Sequence, residues 1–231
     1  MDDEKTKFNS EESTEYQNTT EPSSSSETPD STVTPDSKKS LDSLVGEARV
    51  DYNKHYIYAD YLTWDKFDER WELIDGVPYL MSSPTIQHQR ISFNLTLQLG
   101  NFLKGKKCRI FYAPFEVRLN AETTDDTVVQ PDLLVICDHD KFTKRGCKGA
   151  PEMVIEILSP STSKRDRTIK YDAYLKAGII EYWIIDPDAK ILTANILNDN
   201  RYIAYPYTDT DNVAVHVLDG CIISLSDVFE D

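Results

Sequence analysis

The chain has 231 residues, of which 40 are Asp or Glu and 25 are Lys or Arg, so its formal net charge is −15. It contains no apolar run near the length of about 18 residues that a membrane-spanning helix needs, and we therefore expect no membrane association. Most of such an acidic surface repels nucleic acid, so a nucleic-acid function would have to rest on a local site. The four cysteines form no CxxC pair, which predicts free thiols and a cytoplasmic location.

The acidity is concentrated at the N-terminus. Residues 1–44 hold 17 Ser or Thr and 11 Asp or Glu, with 4 Lys or Arg and almost no large apolar side chain. A segment of this composition cannot bury enough apolar surface to offset its chain entropy. We therefore predict a disordered tail over 1–44 and one folded domain over 45–231.

The first half of the predicted domain alternates helices with a hairpin. A short amphipathic helix is predicted over residues 58–67. A β-hairpin follows over residues 71–81, because Asp75-Gly76 is a strong turn signal between two apolar runs. The spacing of apolar residues over 84–104 favours a long helix.

The second half is rich in strands. Two apolar runs are composed largely of Val, Ile and Leu, as in strands that are buried on both faces. A capping-box pattern from Ser163 to Asp166 predicts the start of a helix that ends near Gly178. The whole pattern indicates an α+β or α/β fold in which helices flank one mixed β-sheet. The predicted strands are 109–113, 115–119, 128–137, 151–160, 181–187 and a meander that follows them.

Two acidic residues interrupt the buried strands. Asp132 lies at the start of the apolar run PDLLVIC, and Glu156 lies inside MVIEIL. A buried carboxylate is costly unless a cation, a metal or several donors accompany it. One such residue is explained by a salt bridge, but two on neighbouring strands favour a metal site. Carboxylate oxygens, completed by water and a phosphate, are what Mg²⁺ prefers.

The next predicted helix adds a third group. Asp166, Lys170 and Tyr174 are spaced i, i+4 and i+8, so they lie on one helix face. A lysine on that face could reach a phosphate oxygen near the two carboxylates. The alternative, a solvent-exposed Asp166–Lys170 pair, remains open at this point.

Together these residues resemble a known family, the bacterial Uma-type restriction endonucleases of the PD-(D/E)XK nuclease superfamily. The resemblance covers roughly residues 56–215 and implies a restriction-endonuclease-like core and Mg²⁺-dependent hydrolysis of phosphodiester bonds, with Mn²⁺ able to substitute. The motifs that carry it are ELIDG (72–76), QPD (130–132), EILSPST (156–162), the Asp166, Lys170, Tyr174 series and EYWIIDP (181–187).

The resemblance also implies roles for individual residues. The first acid of the superfamily falls on Asp132 and the second on Glu156, and both would bind the metal. The superfamily places its lysine two residues after the second acid, but Leu158 stands there in this chain. In the Uma-type family the lysine lies on the following helix, where Lys170 matches it.

Further residues are expected in or around the same site. Glu72 matches an acid of the first strand pair and is a candidate catalytic residue or metal ligand. His88, Asp166 and Tyr174 are expected as neighbours of the site. Basic side chains in the adjoining loops are candidate DNA contacts: Lys141, Lys144, Arg145, Lys148, Lys164, Arg165 and Arg167.

The resemblance predicts a DNA endonuclease, with a homodimer as a possible assembly because a duplex has two antiparallel strands. Two other functions remain open. A nuclease-like fold that has lost cleavage could serve as a binding or regulatory module, which the leucine at position 158 and the acidic surface favour. The same site could also hydrolyse another phosphate ester.

Overall fold

The computed structural model describes residues 50–66 and 69–230. The predicted tail over 1–44 lies outside these residues. Within the described ranges, no helix is both long and apolar enough to cross a membrane. The helices are α1 (Tyr58–Tyr61), α2 (Ile86–Leu103), α3 (Ser163–Arg165), α4 (Tyr171–Ala177) and α5 (Leu225–Val228), with 3₁₀ turns at Leu62–Lys66 and His139–Lys141 and a π-helical turn at Asp166–Lys170.

Thirteen strands are found in the described part of the chain. They are β1 (Trp71–Ile74), β2 (Val77–Leu80), β3 (Arg109–Tyr112), β4 (Glu116–Arg118), β5 (Val128–Val129), β6 (Leu133–Ile136), β7 (Gly146–Lys148), β8 (Met153–Ile157), β9 (Glu181–Asp186), β10 (Ile191–Asn198), β11 (Arg201–Thr208), β12 (Asn212–Ala214) and β13 (Ile222–Ser224).

The strands form two large sheets and one small one. The six-stranded sheet has the order β11-β10-β9-β8-β6-β3, and the five-stranded sheet has the order β2-β1-β5-β4-β7. Both are mixed, since β8 runs parallel to β9 and β4 runs parallel to β7 while the other pairs are antiparallel. β12 and β13 pair only with each other among the described strands. The α+β class of mixed sheets flanked by helices is thus confirmed, but the single predicted sheet is in fact divided.

Alternate residues of the central strands face different layers, because successive strand residues point to opposite sides of a sheet. Met153, Ile155 and Ile157 of β8 pack with the buried face of α2. Val154 of the same strand packs instead with α4 and the five-stranded sheet. Glu156 shares the parity of Val154, so its carboxylate enters the layer between the two sheets, where an apolar side chain would be expected.

Several boundaries follow local sequence signals. The β1–β2 turn uses Asp75 and Gly76 at φ 47° and 75°, the left-handed pair that a two-residue hairpin requires. The side chain of Thr85 caps α2 by accepting from the backbone N–H of His88, and Gly178 ends α4 with φ 78°. The predicted hairpin and both long helical segments are therefore present.

Two expectations about this region are wrong. The Ser163–Asp166 capping box is not formed, because Thr162 occupies the N-cap position and the Asp166 side chain turns into the protein instead. The expectation of four free thiols also fails, since Cys108 and Cys137 form a disulfide. The pairing of β3 with β6 sets Arg109 opposite Ile136, and this register brings the two cysteines face to face across the strands. Spacing along the chain could not reveal that register.

Candidate active site

Strand register brings the two predicted acids together. The antiparallel pairing of β6 with β8 sets Leu133 opposite Ile155. One step further along the same register, Asp132 lies opposite Glu156. The Asp132 carboxylate also accepts a hydrogen bond of 2.7 Å from the backbone N–H of Ile157, which ties it to the end of β8. Both acids therefore occupy one end of the central strand pair.

The helical segment that follows β8 places Lys170 beside these acids. The helical segment α3, π-turn and α4 is continuous, and Lys170 ends the π-helical turn with only 2% of its surface exposed. Its Nζ lies 2.6 Å from Oε1 of Glu156 and 2.8 Å from Oε1 of Glu72. Asp166 is also buried, with its Oδ1 3.9 Å from Nζ. The alternative of an exposed Asp166–Lys170 surface pair is thereby excluded.

Glu72 enters the cluster from the second sheet. It is fully buried on β1, and its Oε1 accepts a hydrogen bond of 2.9 Å from the backbone N–H of Gln130. Its Oε2 lies 3.5 Å from a guanidinium nitrogen of Arg165. Lys170 therefore bridges a carboxylate of each large sheet, and Arg165 adds a second cation beside Glu72.

Two further side chains orient the acids. The Tyr174 hydroxyl, one helical turn beyond Lys170, donates to Oε1 of Glu156 at 2.6 Å. Nε2 of His88, from the first turn of α2, lies 3.1 Å from Oδ2 of Asp132. His88 and Tyr174 thus approach the two acids from different layers of the fold, which limits how far either carboxylate can move.

The protonation equilibria of the cluster reflect a shortage of positive charge. Burial raises the pKa of Glu156 well above its ordinary value; the ammonium of Lys170 opposes this shift, while the charges of Asp166, Asp132 and Glu72 add to it. Burial likewise raises the pKa of Asp166. Burial alone would lower the pKa of Lys170, but the three surrounding carboxylates raise it overall. Lys170 is therefore a permanent cation among surplus carboxylates.

The acidic neighbours of His88 shift its pKa upwards. Burial by itself lowers the pKa of an imidazole. Here the hydrogen bond and charge of Asp132, together with the charge of Asp166, outweigh burial, so the pKa of His88 is raised. His88 therefore keeps its proton, and its positive charge next to Asp132, to a higher pH than a free imidazole does.

A cavity of about 110 Å³ opens over these groups. Asp132, Glu156, Asp166, Lys170 and His88 all contribute to its wall. Buried polar atoms without a hydrogen-bond partner are rare in folded proteins, so each calls for an explanation. In the described part of the chain six side-chain atoms are of this kind, and four belong to this cluster: Oε2 of Glu72, Nδ1 of His88, Nε of Arg165 and Oδ1 of Asp166.

The chemistry of the donor set fits a hard divalent cation. Four carboxyl groups share two cations, Lys170 and Arg165, so the cluster has more acidic groups than fixed positive charges. Oε1 of Glu156 is engaged by Lys170 and Tyr174, but the described residues provide no donor to its Oε2. Those residues contain no preassembled group of three or more metal-ligating side chains. Any ion here would thus be completed by water or substrate, as is usual for Mg²⁺.

The structure brings together the seven residues predicted at or near the site: Glu72, His88, Asp132, Glu156, Asp166, Lys170 and Tyr174. Two contributors were missed or placed differently. Gln130 lies in the QPD motif but was not predicted as a site residue, although its backbone N–H positions Glu72. Arg165 was expected on a DNA-binding rim, but its guanidinium reaches inward to Glu72.

Most of the other predicted DNA contacts carry acidic partners. Ion pairs join Lys141 to Glu152, Arg145 to Glu116, Lys148 to Glu122 and Arg167 to Asp186. A carboxylate partner offsets part of the charge that each side chain can offer to a phosphate. A role for these residues, and for Lys144 and Lys164, in DNA contact stays a prediction.

The sequence matches one protein family and two bacterial relatives. The family described as "Uma2: Putative restriction endonuclease" matches residues 58–226. Two uncharacterized proteins of Synechocystis sp. PCC 6803 are 29% and 27% identical over 127 and 132 residues. These matches cover 54% and 55% of this chain, and 65% and 73% of the two relatives. The chain thus matches slightly less than two thirds of the first relative's length.

A solved structure shares the fold. It is a crystal structure described as a putative nuclease belonging to DUF820, from Anabaena variabilis ATCC 29413. The TM-score is 0.61 at 21% sequence identity, and the match covers 75% of this chain and 97% of the other. At this identity the likeness supports the fold, while the family match supports a nuclease-like function.

Proposed function

Because the chain belongs to the Uma2 restriction endonuclease family, we propose that it is a Mg²⁺-dependent endonuclease that hydrolyses phosphodiester bonds in DNA. One observation carries the proposal. Asp132 and Glu156 stand opposite each other at one cavity, and the Lys170 ammonium lies 2.6 Å from Glu156. A lysine supplied by the following helix thus compensates for the leucine at position 158.

Asp132 and Glu156 are the residues that would hold the metal, with Glu72 as a further candidate. A bound Mg²⁺ or Mn²⁺ ion would supply a water of lowered pKa and positive charge for the phosphate oxygens. Carboxylates that face the cavity, in a cluster short of positive charge, are the appropriate ligands for such an ion.

The chain's own residues supply orientation and fixed charge. Lys170 presents its ammonium where negative charge develops on the phosphate, in a site from which most water is excluded. Tyr174 holds Oε1 of Glu156, and His88 with the backbone N–H of Ile157 holds Oδ2 of Asp132. In the reaction, a water oxygen forms the new bond to phosphorus and the bond to the 3′ oxygen breaks. The 3′ oxygen takes up a proton, leaving a 5′-phosphate and a 3′-hydroxyl.

The proposed activity also implies a substrate, an assembly and a cellular location. DNA is the proposed substrate, a homodimer would allow both strands of a duplex to be cut, and the cytoplasm is the proposed location. The Cys108–Cys137 disulfide is unusual for a reducing compartment, so thiol labelling of freshly lysed cells would test the location. Sedimentation with and without duplex DNA would test the dimer.

Cleavage of supercoiled plasmid in Mg²⁺, Mn²⁺ or EDTA tests the activity directly. We expect metal-dependent nicking that falls about 10²–10³-fold in Asp132→Asn, Glu156→Gln and Lys170→Met, because each removes charge that is needed in the transition state. Lys176→Met is the matched control, since Lys176 lies on the same helical segment with its side chain 75% exposed. Full activity in Lys170→Met would remove that lysine from the mechanism. Parallel assays on single-stranded DNA and RNA define the substrate.

A second function is favoured by the engagement of Lys170. Its ammonium already contacts two carboxylates at 2.6 and 2.8 Å, as in a purely structural ion cluster. On that basis the protein would be a nuclease-fold binding or regulatory module without cleavage. The plasmid assay separates the two: tight DNA binding with no cleavage in either metal would support the module and contradict the endonuclease.

A further inference from the structure

A second cavity adjoins the first and has a different character. It encloses about 360 Å³, a volume within the range of small-molecule sites, and it shares Arg70 and Gln130 with the catalytic cavity. The described residues of its wall include Tyr61, Trp64 and Trp71. A ligand that reached from one cavity to the other would thus pass from the charged cluster to a wall that combines aromatic and charged side chains.

Two residues of this wall each carry a buried polar atom without a hydrogen-bond partner. Of the six such atoms in the described residues, four belong to the catalytic cluster, and the other two are Nε1 of Trp71 and Oε2 of Glu69. Trp71 is only 6% exposed, so its N–H has been removed from water without gaining an acceptor. Leaving a buried donor unmatched is unfavourable, and a ligand that supplies the missing acceptor would remove that penalty.

The other polar groups of this wall are already engaged. Arg145 pairs with Glu116, the Tyr61 hydroxyl accepts from Gln130, and Arg70 donates to the Gln130 side chain. A donor on Trp71 and an acceptor on Glu69 therefore remain for a ligand. The carboxylates of Glu69 and Glu116 equal in number the guanidinium groups of Arg70 and Arg145, so this wall has no excess of positive charge for a second phosphate.

We propose that this second cavity binds a nucleobase of the nucleic-acid strand whose phosphate occupies the catalytic cavity. A base is planar, presents donors and acceptors along one edge, and stacks on aromatic rings. Trp64 lies 5.5 Å from Tyr61 and 5.9 Å from Trp71 between ring centroids, so the three rings form one largely buried cluster that borders the cavity. Trp71 would donate to a ring nitrogen or carbonyl, and Glu69 would accept from an exocyclic amine. The inference rests on the proposed nuclease function for its substrate class.

The test compares two single strands of equal length and charge. One is a fluorescein-labelled oligodeoxynucleotide of about ten residues, and the other has the same sugar-phosphate backbone without bases. Binding is measured by anisotropy with Ca²⁺ in place of Mg²⁺. We expect the strand with bases to bind about ten-fold more tightly or better. Trp71→Phe and Glu69→Gln should each reduce that ratio at least threefold, while their affinity for the abasic strand stays unchanged.

Two control variants test whether removing a negative charge or an aromatic polar group elsewhere on the protein changes the binding ratio. Glu122→Gln removes the same charge as Glu69→Gln from a side chain that is 84% exposed. Tyr205→Phe removes the polar group of a half-exposed aromatic ring that lines neither cavity. Neither control should change the ratio. Thermal unfolding shows whether Trp71→Phe is folded, and Glu69→Gln tests the site without altering the aromatic cluster.

Each outcome decides the inference, and cleavage of the same strands in Mg²⁺ judges the nuclease function separately. Equal binding of the two strands overturns the base site, even if both are cut. A base preference that survives in both variants overturns it as well, and so does the failure of the strand with bases to bind. Base-dependent binding that is lost in the variants supports the site, even if no strand is cut.

Discussion

Two buried glutamates on neighbouring strands of the same sheet show how differently a carboxylate can be accommodated. Glu181 on β9 is fully buried, and its two oxygens accept from the indole N–H of Trp183 at 2.7 Å and the backbone N–H of Val217 at 3.0 Å. In Glu156 on β8, a single oxygen accepts hydrogen bonds from both the ammonium of Lys170 and the hydroxyl of Tyr174. Its other oxygen receives no donor from the described residues and lies at a cavity.

The difference separates a structural carboxylate from one that is available for chemistry. Burial raises the pKa of both groups, so burial alone does not distinguish them. What distinguishes them is how the donors are distributed over the two oxygens, and whether one oxygen is left for a metal ion. A carboxylate that is saturated with N–H groups stabilises the fold, whereas one with an open oxygen can bind an ion.

The largest effect on stability is expected from Lys170→Met. This change leaves Glu156 and Glu72 buried without their shared cation, which should lower the free energy of unfolding by about 3–5 kcal/mol near neutral pH. The deficit relative to wild type should shrink as the pH falls. Lys170 opposes the rise in the pKa of buried Glu156, so without it the folded variant binds a proton more tightly than the folded wild type does. Urea unfolding at several pH values measures both effects. A deficit that grows at low pH would contradict this account.

A smaller loss is expected from Glu181→Gln. The amide has one acceptor oxygen, so either the Trp183 or the Val217 N–H would face an NH₂ group. We expect a loss of about 1–3 kcal/mol in the free energy of unfolding, with DNA cleavage unchanged below the unfolding transition. Glu122→Gln should stay within about 0.5 kcal/mol of wild type. A loss of cleavage in folded Glu181→Gln would show that Glu181 is not a purely structural carboxylate.

The smallest effect, and the most selective one, is expected from Tyr174→Phe. It removes one buried hydrogen bond at a cost of about 1 kcal/mol in stability. Tyr202→Phe is matched, since the Tyr202 hydroxyl donates to the backbone oxygen of Ile179 and not to the cluster. Denaturation should show similar costs for both variants, but plasmid cleavage should fall only in Tyr174→Phe, because only there is Glu156 left less constrained. Equal cleavage in the two variants would remove Tyr174 from the site.

Much of the fold could be predicted because it depends on short-range signals. The Asp75-Gly76 turn and the apolar periodicity of α2 are properties of a few adjacent residues, and both elements are present. The short strands β7 and β13 were missed, since three residues carry too little pattern to indicate a strand. The division into two sheets was missed as well, because it depends on which strands pair over long separations.

The candidate site was predicted by residue type, but its contacts were not. Asp132 and Glu156 were recognisable as charges that interrupt apolar strands. That Lys170 is buried and bridges Glu156 to Glu72 could not be deduced from helical spacing, which allowed an exposed pair equally well. The inward position of Arg165 was likewise hidden, because its direction depends on how the helix packs against β1.

The sequence alone therefore determined most of the helices and strands, the acidic charge and the identity of the acids, since these depend on residue type and nearest neighbours. Only the tertiary structure decided which charges share one cavity, which cysteines meet and which buried atoms lack partners. The physical reason is that strand register and helix packing join residues far apart in the chain. Glu72 and Lys170 are separated by almost a hundred residues along the chain, yet their charged atoms lie 2.8 Å apart.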